Sequence, residues 1–158
     1  MRVRIHRGAA EIGGNCVEVA SDDGRRIVLD VGRPISAGWS QEVALPSVPG
    51  LKGMDATLCG VLISHPHLDH YGLIGGVDPS VPVFIGAEAA GMLRAAAFFS
   101  PVGAKIEPAG FFRDREPLMP CACPISRRVP TCSVCLTIAC AWMCELAGRT
   151  AASCDRAE

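Results

Sequence analysis

The chain has 158 residues, 49% of them apolar and 20% charged, with a formal net charge of −1. That length and apolar content suit a globular protein with its own core rather than a disordered chain. The charge balance gives no electrostatic case for nucleic acid or an anionic membrane as partner.

In chain order, the first third reads as short strands. Val3 to His6 alternates apolar and polar residues. The runs "NCVEVA" and "RRIVLDV" flank "SDDG", an Asp-Gly turn signal between two β-favouring segments, which predicts a hairpin. Residues 32–55 are punctuated by Gly and Pro and predict a long loop. "ATLCGVLIS", Ala56 to Ser64, is almost continuously apolar, as in a strand buried on both faces. "YGLIGGV" predicts a short helix weakened by its glycines, and "VPVFIG" a second buried strand. "AEAAGMLRAAAFF", Ala87 to Phe99, predicts a helix with Ala89, Met92, Leu93 and Ala96 on its core face. Strands alternating with helices make this an α/β layer arrangement.

From about Leu118 neither period continues, and the composition changes. Seven of the nine cysteines fall beyond that point, from Cys121 to Cys154. The expected organisation is therefore a folded part over 1–118 and a Cys/Arg-rich tail over 119–158. The N-terminus has no apolar run of the secretory kind. The longest apolar run, "SVCLTIACAWMC", is shorter than the about 20 residues of a bilayer crossing. The expectation is a cytoplasmic protein without membrane contact.

The chemistry is concentrated in "LISHPHLDHYG". Three of the four histidines stand within six residues here, as His65, His67 and His70 around Asp69. Neutral imidazoles and a carboxylate suit zinc and related divalent ions. In an extended segment His65 and His67 share a side and can grip one ion, while Asp69 and His70 continue around the turn toward a second. Two metals ~3.5–4 Å apart can share a hydroxide nucleophile. Pro66 stiffens the loop by fixing its own φ and restricting His65.

HxHxDH after an apolar strand resembles the signature of the metallo-β-lactamase-fold hydrolases. "GAAEIGGNCVEV" followed by "RRIVLDVG" is similar to the opening of their ribonuclease J and β-CASP branch. The resemblance covers about 1–118. It implies the N-terminal half of an αββα sandwich, with zinc bound by His65, His67, Asp69 and His70. It further implies that Asp69 acts beside the attacking hydroxide as the catalytic residue. Asp30 becomes the aspartate beneath the metal site that orients the ligand loop. RNA-type phosphodiesters are the favoured substrates, and small esters or thioesters are the alternative.

The same resemblance calls for later ligands, yet no histidine follows His70 in the sequence. The expectation is thus half a site on half a fold, with doubtful turnover and an uncovered sheet face prone to self-association. A non-catalytic fragment with a Cys-rich metal-binding tail is a further reading, since Cys132 and Cys135 form a CxxC pair. A frame-shifted or otherwise aberrant C-terminus is the preferred explanation of that tail.

Overall fold

The structure is a computed structural model that describes residues 1–53, 55–99 and 105–113. Expectations about the tail over 119–158 lie outside the described residues.

Six strands form one mixed sheet in sequential order, β1 (Arg2–Arg7), β2 (Cys16–Ala20), β3 (Arg26–Leu29), β4 (Leu58–Ile63), β5 (Val83–Gly86) and β6 (Gly110–Phe112). The first three are antiparallel neighbours, and from β3 to β6 each pair is parallel. The change of sense follows from the connections. The "SDDG" turn joins β2 and β3 tightly, with Gly24 at φ 86 and its amide donating to the Ser21 carbonyl. The parallel pairs need crossovers, supplied by residues 30–57, by the short helix α1 (Leu68–Tyr71) with a 3-10 turn (Ile74–Gly76), and by α2 (Ala87–Phe99).

The continuous apolar run read in the sequence is β4. Parallel partners on both sides let it bury side chains on each face, and Val61 and Ile63 are fully buried. One face carries the main core, in which Cys16, Val28, Val61, Ile63 and Ile85 meet Val31, just after β3, and Leu51 from the long loop. Residues 32–55 hold no strand or helix among the described residues, but Val48 and Leu51 anchor that loop in the core. The other sheet face carries Val19, Ile27, Leu62, Phe84 and Phe112, all buried.

The helix α2 spans the expected residues, but its core face is rotated from the predicted one. Ala90 is buried with Ala89 and Leu93 packed beside it, whereas Met92 is 63% exposed and Ala96 is exposed too. An Ala-rich helix with almost no polar residues offers no polar stripe to mark its outer side, so the period alone misplaces the face. The helix expected at "YGLIGGV" is instead two short pieces, because Gly72, Gly75 and Gly76 do not sustain a longer run.

Candidate metal centre

Ser64 leaves β4 and the chain turns at once into the His motif. His67 is the N-cap of α1, in extended conformation, and its carbonyl accepts from the amides of His70 and Tyr71. One helical turn thereby brings Asp69 and His70 back over the strand end beside His65. One ligand atom from each of His65, Asp69 and His70 lies within 4.8 Å of the others. The ring centroids of His65 and His70 are 3.7 Å apart. His67 is exposed and stands outside this group, its ring centroid 4.7 Å from that of His65. The structure thus brings His65, Asp69 and His70 of the expected ligands into one cluster, with His67 beside it next to His65. The chain leaves the extended state at Leu68, where α1 begins, so the two-residue alternation does not carry on to Asp69 and His70.

Asp30 organises this centre from below. It is 2% exposed and has φ 61, a left-handed backbone that Asp tolerates better than most residues. Its Oδ1 accepts from the Ser64 amide at 2.7 Å, and its Oδ2 accepts from the Ser64 hydroxyl at 2.7 Å. The same Oδ2 lies 2.7 Å from His70 Nδ1. That contact fixes the tautomer. Nδ1 carries the proton and donates to Asp30, leaving the Nε2 lone pair as a metal donor. His70 Nε2 in turn lies 3.4 Å from Asp69 Oδ2.

His65 is also kept in ligand form. Burial, then the nearby imidazoles of His70 and His67, push its pKa below the ordinary 6.5, so the ring is neutral at neutral pH. A neutral imidazole, an imidazole with a fixed free Nε2 and a carboxylate are together a donor set that fits a divalent ion. Among the described residues these three are the ones that could hold such an ion.

The Gly-rich N-terminal turn closes the site from the side. Asn15 donates its amide to the Asp69 carbonyl at 3.2 Å, and its Nδ2 lies 3.3 Å from His70 Nε2. Residues 31–33 thread between these two segments, with Val31, Gly32 and Arg33 amides donating to His70, Asn15 and Leu68 carbonyls. Gly32 has no room for a side chain, since a Cβ would sit 1.8 Å from the Asp69 carbonyl oxygen. Gly13, at φ 75, would place its Cβ 2.7 Å from that of Asp69. Asn15 and Ser64 are site residues that the motif reading passed over. Their signals were the polar residue that ends the Gly-Gly turn and the hydroxyl at the strand terminus. His6, the remaining histidine, lies on β1 with Nε2 3.5 Å from Glu18 Oε2 and takes no part in the centre.

Beside the centre lies a pocket of about 340 Å³, walled by residues 33–39 together with Leu68 and Asp69. No helix among the described residues is long and apolar enough to cross a membrane.

No family model matches this sequence. A stretch of 72 residues is 39% identical to an RNase J-like protein of Methanocaldococcus jannaschii, covering 46% of this chain. The chain spans 14% of that relative's length. In fold it is similar to a solved protein of unknown function from Enterococcus faecalis V583, with a TM-score of 0.52 and 24% identity. That likeness covers 71% of this chain and 33% of the solved one. The mixed six-stranded α/β sheet and a His-Asp-His cluster able to hold a metal ion are thus joined to a partial likeness to an RNase J-like protein.

Proposed function

We propose that this chain carries the metal-binding part of a metallo-β-lactamase-type hydrolase of the RNase J-like branch, with zinc as its metal and RNA phosphodiesters as its substrate. The observation that carries the reading is the convergence of His65, Asp69 and His70 on one point, with Asp30 holding His70 in the metal-ready tautomer. The partial likeness to the RNase J-like protein supports the same branch.

A bound divalent ion supplies Lewis acidity and a water whose pKa falls toward ~7. The chain's own residues do the rest. His65 presents a neutral imidazole and His70 its Nε2. Asp30 accepts the hydrogen bond of His70 Nδ1. The Asp69 carboxylate, partly exposed beside His70 Nε2, is placed to hold the ion and to accept the proton of an attacking water. The exposed imidazole of His67 stands next to His65, ready to complete the ligand set or to meet substrate.

The test is cleavage of end-labelled single-stranded RNA by the full chain with added zinc. Cleavage that stops with chelator, returns with metal and is lost in Asp69→Ala supports the reading. Cleavage that ignores chelator and survives Asp69→Ala contradicts it.

A second reading is a centre that binds metal without turnover. One cluster of three donors lies among the described residues, whereas sharing a hydroxide between ions takes a second site. Stoichiometric zinc with no hydrolysis of RNA or thioesters would select it.

A further inference from the structure

The pocket beside Asp69 has an unusual wall. Trp39 is 75% exposed and Ile35 is 64% exposed, both on the loop between β3 and β4. A tryptophan left this bare is costly in water unless something covers its ring in use. The loop that carries it is fixed. Arg33 Nη2 donates to the carbonyls of Gly38 and Gln41 at 2.6 Å each. The Gln41 amide donates back to the Gly38 carbonyl at 3.0 Å, and the Ala37 amide to the Pro34 carbonyl at 3.1 Å. Trp39 is thus presented on a rigid turn, so covering its ring costs little ordering of the chain. The guanidinium of Arg33 also brings positive charge to the pocket, the sign that a nucleotide phosphate requires.

Asp69 belongs both to the metal-ligand cluster and to this pocket wall. A phosphodiester held at the cluster therefore leaves its neighbouring nucleoside facing the pocket. The volume of about 340 Å³ sits at the lower end of small-ligand sites, which run about 300–1,000 Å³, and suits a single nucleoside.

We infer that Trp39, on the loop pinned by Arg33, is a nucleobase-stacking platform that positions single-stranded RNA beside Asp69. This rests on the reading of His65, Asp69 and His70 as the reacting centre. Trp39 is a positioning residue and touches no reacting atom. Stacking on its π-face is tolerant of base identity, so the subsite selects unpaired nucleotides rather than a sequence.

The sequence has two tryptophans, so Trp142→Phe leaves Trp39 as the sole tryptophan, excited selectively over Tyr71. That chain is titrated with short single-stranded oligoadenylate RNA in chelator, so that no strand is cut. The expected result is saturable quenching of Trp39. In labelled-RNA anisotropy, Kd is expected to rise about tenfold in Trp39→Ala and to be largely restored in Trp39→Phe. Duplex RNA, whose bases are already stacked on each other, is expected to quench little. An unchanged Kd in Trp39→Ala, no RNA binding, or equal quenching by duplex overturns the inference. Zinc stoichiometry, measured separately on Trp39→Ala, is expected to be unchanged. Failure of the metal reading would appear elsewhere, as zinc binding that is indifferent to His65→Ala.

Discussion

At the residue scale the centre depends on Asp30, a side chain that would not itself ligate an ion. It satisfies the Ser64 amide and hydroxyl and the His70 ring from a buried position. Asp30→Ala strips the Ser64 amide of its acceptor and leaves the Ser64 hydroxyl and His70 Nδ1 only their longer contacts with each other, with His65 and with Asn15, so a stability loss of about 2–3 kcal/mol is expected, together with a marked loss of metal affinity. Asp30→Asn keeps the size and tolerates the left-handed backbone, yet it cannot accept from every donor. It should therefore fall between wild type and alanine in urea melts and zinc titrations. The same logic makes Gly32 sensitive without any chemistry of its own. Gly32→Ala must push the Asp69 carbonyl aside, and a loss of both stability and metal binding is expected, read by the same two measurements. Cys16 is the opposite case. Burial raises its thiol pKa to about 12, so in the native protein it should resist alkylation that succeeds in denaturant.

At the element scale the site hangs on the C-terminal end of β4, where Ile63 is fully buried one residue before Ser64. Ile63→Ala should cost about 2–5 kcal/mol, checked by denaturant unfolding, since a cavity opens beneath the ligand loop. The elements themselves were largely legible. The hairpin was visible because its turn chemistry and its β-favouring runs agree. The β4 strand was visible because a nearly unbroken apolar run of that length fits few other structures. What escaped were features set by contacts distant in sequence. The face of α2 turned on packing against β5, and its Ala-rich composition carried no polar stripe to announce it. The left-handed Asp30 and the passage of Gly32 against Asp69 depend on segments about forty residues apart, which no local pattern records.

At the scale of the whole molecule, the candidate centre is where three segments meet: the Gly-rich turn after β1, the stretch after β3 and the His loop after β4. The motif itself was legible because donor residues were crowded into six positions. How its donors group was not, since helix α1 turns Asp69 and His70 toward His65 and leaves His67 exposed at the edge of the cluster. This assembly ties stability to pH through His65. Its pKa is lowered in the folded chain by burial and by neighbouring imidazoles. Above the ordinary value of 6.5 neither state binds the proton, and stability should be level. Below it the unfolded chain takes up a proton that the folded site refuses, so stability should fall as the pH drops. Urea melts on either side of that value check this, and His65→Gln should flatten the fall.

The most direct test is a cobalt titration of the full chain, compared with His65→Ala and His70→Ala, with Cys132→Ser/Cys135→Ser as a control. The expected result is one ion per chain in wild type and in the cysteine variant, without a thiolate charge-transfer band, and loss of that ion in both histidine variants. Undiminished binding in the histidine variants, with a thiolate band that disappears in the cysteine variant, would contradict a metal centre built from His65, Asp69 and His70.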